Sequence, residues 1–177
     1  EWYKIYRETP EFGYTLFDPE DEWKPQGVNV EKVEYSSTDA VVLSSGAFDI
    51  DELEALFLHL PIDITFVDKN DKVRFFSHSP NRVFERNRSI IGRDVRMCHP
   101  PGSVHIVEQI LDDFKRGREN KAAFWLSNFM GGRFIYIEYT AVRSKGGEYL
   151  GVVEVTQDIT NLRRLQGDQR LLSYEHK

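Results

Sequence analysis

The residues best suited to chemistry gather in the middle of the chain. Cys98 and His99 are adjacent in MCHPPGSVH, His105 closes the same stretch, and His78 precedes it. Thiolate and imidazole are the ordinary ligands of zinc, copper and haem iron, so a haem or divalent-metal site on Cys98, His99 and His105 is one reading. The spacing does not impose it. Cys98 is the only cysteine, which excludes a structural zinc site of paired thiolates. On a helix starting near Ser103, His105 falls on the charged side with Glu108 and Asp112, away from an interior. His99, at the start of that helix, is the first choice as a ligand. The plainer alternative is a histidine held by structural hydrogen bonds. Pro100-Pro101 needs no chemistry: proline suits a helix start because its missing N–H would be unpaired there anyway.

A thiol nucleophile at Cys98 is a second reading. Sequence neighbours rarely point at each other, and no oxyanion motif or partnered acid is evident. A cysteine in this setting reads as a small packed side chain. No phosphate-cradling glycine loop, kinase motif or HExxH pattern occurs. No enzymatic activity is expected.

Composition sets outer limits. The 177 residues are 40% apolar and 29% charged, a globular balance, and 13% aromatic. A net charge of −6 argues against nucleic acid and against anionic membrane surfaces as partners. The single cysteine fits a reducing compartment. No apolar run approaches the roughly 18 residues of a membrane span. The chain begins EWYKIYRE, without an initiator Met or a signal-peptide pattern. It is therefore expected to be a piece of a longer cytoplasmic protein.

The positioning elements follow from periodicity. Residues 1–48 form an N-terminal extension or linker. The pattern predicts a short helix over Glu1–Glu8, an acidic loop over Asp18–Gly27 and a strand over Glu34–Leu43. The main domain spans 49–160. Asp49 and Glu52 have capping-box spacing, and Leu53, Leu56, Phe57 and Leu60 recur at helical spacing before Pro61 stops the helix. Ile62, Ile64 and Phe66 then alternate with Asp63, Thr65 and Val67 along a strand. Asp68-Lys-Asn-Asp71 supplies turn chemistry, and a second strand runs to Ser77. A polar stretch over Ser79–Val95, broken at Gly92, leads to a helix over Ser103–Lys115. That helix carries Val104, Val107, Leu111 and Phe114 as its apolar stripe, with Gly117 as its stop. Three strands follow, at about Lys121–Asn128, Gly132–Arg143 and Tyr149–Asp158. A terminal helix is predicted over Asn161–Leu172, within a tail spanning 161–177.

Read together, ITFVDKNDKVRFFS, IIGRDV, CHPP and GEYLGVVEVTQDIT resemble the PAS domain family over Leu60–Thr160. More narrowly, LPIDITFVDKNDKVRFFS with MCHPPGSVHIVEQIL is similar to the PAS module found C-terminal to hemerythrin-like domains in bacterial and archaeal proteins. The resemblance implies an α+β fold: a five-stranded antiparallel sheet with helices on one face, plus the N-terminal extension. It implies a sensory or interaction module that binds a small molecule or cofactor beneath the sheet. It also implies a hemerythrin-like neighbour in the full-length chain, homodimerisation, and an output path through Asp158-Ile159-Thr160. On this reading Ile64, Phe66, His99, Val107, Leu111, Trp125 and Tyr136 line the pocket, while Asp63 and Arg93 tie loops. A module that joins its partners and binds nothing is the rival.

Overall fold

A computed structural model of the chain describes residues 40–80 and 82–170. The expectations for Glu1–Glu8, for Asp18–Gly27 and for the start of the strand at Glu34 lie outside the described residues. Within them the chain divides after Ile50 into two compact units. The described part of the first is a hairpin, β1 (Val41–Leu43) paired antiparallel with β2 (Gly46–Phe48).

α1 (Ile50–His59) belongs to the second unit from Asp51 onward, and its acidic residues Asp51 and Glu52 occupy the first turn, where the helix dipole favours negative charge. β3 (Asp63–Asp68) and β4 (Val73–Phe76) form the first ribbon. After a crossover of short 3-10 turns comes α2 (Val104–Lys115). β5 (Lys121–Phe129), β6 (Arg133–Arg143) and β7 (Tyr149–Asp158) complete the unit. The sheet order is β4-β3-β7-β6-β5, all antiparallel. The two ribbons, far apart in sequence, therefore meet at the β3–β7 pairing, from Asp63 opposite Thr156 to Asp68 opposite Gly151.

Alternation fixes the two faces of this sheet. Asp63, Thr65 and Val67 are buried while Ile64 and Phe66 are only half-buried. α2 packs on the inner face through Leu111 and Phe114, which cluster with Val152 of β7 and with Val107, Ala122 and Tyr139. Gly117, with φ of 71°, ends α2, and the Arg143 guanidinium donates to the Phe114 carbonyl at 2.6 Å. On the opposite face Phe57 of α1 lies 4.9 Å, centroid to centroid, from Phe75.

The crossover is stitched to the sheet. Gly92 N–H donates to the Val73 carbonyl and Val73 N–H to the Arg93 carbonyl, so the outer side of β4 is covered rather than left open. The helix predicted over Asn161–Leu172 is not formed across its described residues. A single 3-10 turn, Leu162–Arg164, is followed by Gly167 at φ of 65°. Leu162 and Leu165 are exposed, so no apolar face is buried that could hold a longer helix in place.

Candidate ligand-binding cavity

Between the inner face of the sheet and α2 lies a cavity of about 240 Å³. Its walls are mostly apolar. β3, β4 and β7 supply Val67, Val73 and Val152; the crossover supplies Ile90 and Val95; α2 supplies Ile106, Val107, Ile110 and Leu111; and β5 supplies Phe124. Cys98 and His99 complete the roof.

One corner is polar. Thr65, Glu154 and Tyr139 sit opposite one another across β3, β7 and β6, forming a single row on the inner face. Arg86 reaches this row from the crossover, its Nη2 3.3 Å from Glu154 Oε1. Their side chains are only 17% and 10% exposed. Burial, and then the neighbouring Glu154 carboxylate, push the Tyr139 phenol well above its ordinary value, so it stays protonated. Arg86 Nε is buried with no hydrogen-bond partner among the described residues. Behind the row, Arg82 donates to Thr65 Oγ1 at 2.9 Å and to the carbonyl of Phe84. Burial lowers the Arg82 pKa, against the opposing pull of Asp63. Asp63 in turn accepts from Ser79 Oγ at 2.9 Å and Val83 N–H at 2.6 Å, tying the crossover to β3.

Of the residues expected to line a pocket, His99, Val107 and Leu111 do so. Ile64, Phe66, Trp125 and Tyr136 do not, and this corrects the facing read from the sequence. All four lie on the outer face, where Trp125 pairs with Tyr136 and is 62% exposed. The Tyr136 hydroxyl donates to Glu138 at 2.7 Å on that same side. The inward set is one residue out of step: Thr65 and Val67 in place of Ile64 and Phe66, and Phe124 in place of Trp125. Sequence reasoning missed Arg86, Tyr139 and Glu154, which look like surface residues until the row across three strands is assembled. The usable signal was Glu154 inside the apolar stretch LGVVEV of β7.

The chemical residues separate. His105 is exposed on α2 and is not part of the cavity lining. His99 Nδ1 lies 2.9 Å from the Val95 carbonyl, which can only accept, so Nδ1 is the donor in that contact. Cys98 Sγ is 3.9 Å from the Asp94 carbonyl, its polar contact among the described residues. No group of three or more His, Cys, Asp or Glu side chains that could hold a metal ion occurs among those residues. Haem fits poorly as well. His99 could offer one axial nitrogen, but the cavity is smaller than the roughly 300–1,000 Å³ of drug-sized ligand pockets, and a porphyrin belongs at the large end.

The family model described as PAS domain matches residues 53–160. The chain belongs to the PAS domain family. Among solved structures, the PAS fold seen here is similar to the C-terminal domain of a Streptococcus mutans protein. That likeness has 32% identity and a TM-score of 0.67, covering 72% of this chain and 97% of the other. The PAS domain of BvgS from Bordetella pertussis matches at 16% identity and a TM-score of 0.48, over 65% of this chain and 91% of that one. A PAS domain from Colwellia psychrerythraea matches at 18% identity and 0.45, over 64% and 99%. Comparison with curated proteins gives no match. No helix among the described residues of this PAS protein is long and apolar enough to cross a membrane.

Proposed function

We propose that the domain is the ligand-sensing module of a larger signalling protein, without catalysis of its own, and that a small molecule in the cavity is its signal. The observation that carries this reading is the role of β7. The strand contributes Val152 and Glu154 to the cavity and then runs directly into Asp158-Ile159-Thr160. That exit is firmly held. Thr160 N–H donates to Asp158 Oδ1 at 2.9 Å, Thr160 Oγ1 accepts from Phe134 N–H at 2.8 Å, and Ile159 N–H donates to the Phe134 carbonyl. Arg163 lies over the Phe134 ring, 3.9 Å from its centroid. A ligand that favours one setting of β7 thereby favours one setting of the exit segment. PAS membership supports the sensory reading. The resemblance of its first ribbon and MCHPPGSVH to modules beside hemerythrin-like domains supports a partner of that kind in the full-length chain. Homodimerisation rests on family membership alone, and a cytoplasmic setting on the lone cysteine.

Native mass spectrometry of freshly purified protein is expected to show a bound small molecule. Val107→Trp, which fills the cavity from α2, is expected to abolish that adduct while leaving the fold intact. A bare wild-type protein whose amide spectrum also ignores a panel of small aromatic compounds would refute the proposal.

A further inference from the structure

The chemistry of the cavity wall narrows the class of its ligand, an inference that rests on reading the cavity as a ligand site. Polar residues line part of the wall, but the protein already matches them to one another. Glu154 accepts from Arg86 at 3.3 Å, and the pair is nearly sealed. The Tyr139 phenol also bonds Glu154. Thr65 Oγ1 accepts from Arg82 at 2.9 Å, and His99 Nδ1 donates to the Val95 carbonyl at 2.9 Å. Ser103 Oγ donates to the Pro100 carbonyl at 3.0 Å. Arg86 Nε has no partner among the described residues, yet it offers no surface that a ligand could touch. What a molecule in the cavity meets is almost wholly apolar, above all Val67, Val73, Val107, Leu111, Phe124 and Val152.

Three consequences follow for an entering molecule. A charged one finds no free counter-charge. If it drew Arg86 or Glu154 to itself, it would strand the other member of the pair in a poorly solvated place. A neutral molecule with a polar tip gives up a hydrogen bond to water and gains none in return. Apolar mass alone gains by entering. The volume, about 240 Å³, exceeds the roughly 150 Å³ of an engineered apolar cavity that takes benzene, and so admits one ring with a short alkyl chain.

We propose that the cavity selects compact, uncharged hydrocarbon-like molecules, of the bulk of a ring with a short alkyl chain, and holds them by burial alone with no polar anchor.

Five probes separate the possibilities: benzene, ethylbenzene, acetophenone, benzoate and benzylammonium. Each is titrated into the full 177-residue chain and followed by amide chemical shifts. Ethylbenzene is expected to bind at least tenfold tighter than benzene, at roughly fourfold per added carbon. It is also expected to bind at least tenfold tighter than either ion, and acetophenone no tighter than ethylbenzene. Val107→Trp is expected to remove the ethylbenzene shifts; should that variant not fold, the wild-type ranking decides alone. Preference for an ion or for acetophenone, or equal binding of benzene and ethylbenzene, overturns the assigned class and leaves the cavity reading standing. So does silence from all five probes when native mass spectrometry still shows a bound small molecule. Ethylbenzene shifts that survive in folded Val107→Trp place the binding elsewhere and overturn the assignment to this cavity. Silence from all five together with a bare protein overturns both readings.

Discussion

Among the described glycines, Gly151 has the least room for a side chain. Its φ is 151°, and a Cβ there would lie 2.1 Å from the Val67 carbonyl oxygen, on the backbone of the paired strand. Gly151→Ala is expected to destabilise by about 3 kcal/mol, read from urea denaturation, because neither strand can retreat without breaking the β3–β7 ladder. Tyr139 governs the alkaline limit. Its folded pKa lies above the unfolded value of about 10, so the folded state holds the proton more tightly. Its stabilising share is complete below pH ~10 and declines as pH rises above it, by about 1.4 kcal/mol per unit. Tyr149, pushed up to about 12 by burial and then by Asp71, adds to the same decline. Tyr139→Phe is expected to flatten the loss of stability between pH 10 and 11. An unchanged slope would show that Tyr139 does not carry it. At this scale the sequence was legible for His99, Val107 and Leu111 and misleading for Ile64, Phe66, Trp125 and Tyr136. Alternation separates two faces but does not say which is inward. Apolar content favoured Ile64 and Phe66, whereas the buried register contains Asp63, made acceptable there by Ser79 and Val83 from a loop 16 and 20 residues away. Those partners have no local signature.

Among the elements, the turn between β3 and β4 serves as an anchor. Asp71, at φ of 62°, receives Lys115 of α2 at 2.6 Å and Arg96 of the crossover at 3.0 Å. Arg96 also meets Glu108 of α2 at 3.4 Å. One carboxylate thus ties the turn, the roof segment next to His99 and the C-terminal end of α2. Asp71→Asn keeps a residue that accepts the left-handed backbone and removes only the charge. It is expected to cost about 1–2 kcal/mol at low salt and less at high salt, since both cations are partly solvated. Equal loss at both salt concentrations would assign the effect to packing. At the exit, Thr160→Val removes the hydroxyl between Asp158 and Phe134 and is expected to raise amide exchange at Phe134 by about tenfold, a loss close to one hydrogen bond. Strands and helices were legible here because period and turn residues agree, as in the stripe of Val107, Leu111 and Phe114. The terminal helix failed because leucine spacing alone does not hold a helix that has nothing to pack against.

At the scale of the whole domain, the joining of two remote ribbons was legible from element order and from motifs resembling the PAS family, while the cavity's polar corner was not. Thr65, Arg86, Tyr139 and Glu154 are brought together by two strand pairings and a crossover, and only the assembled sheet makes them neighbours. The same sheet order dictates how a nascent chain must proceed. β3 lies between β4 and β7, so the first ribbon leaves the ribosome with one side of its inner strand unsatisfied. About eighty further residues, through Asp158, must be synthesised before that side closes. Translation halted within β6 would strand an adhesive edge, and a reporter fused upstream of Tyr149 would be expected to aggregate where one fused beyond Thr160 remains dispersed.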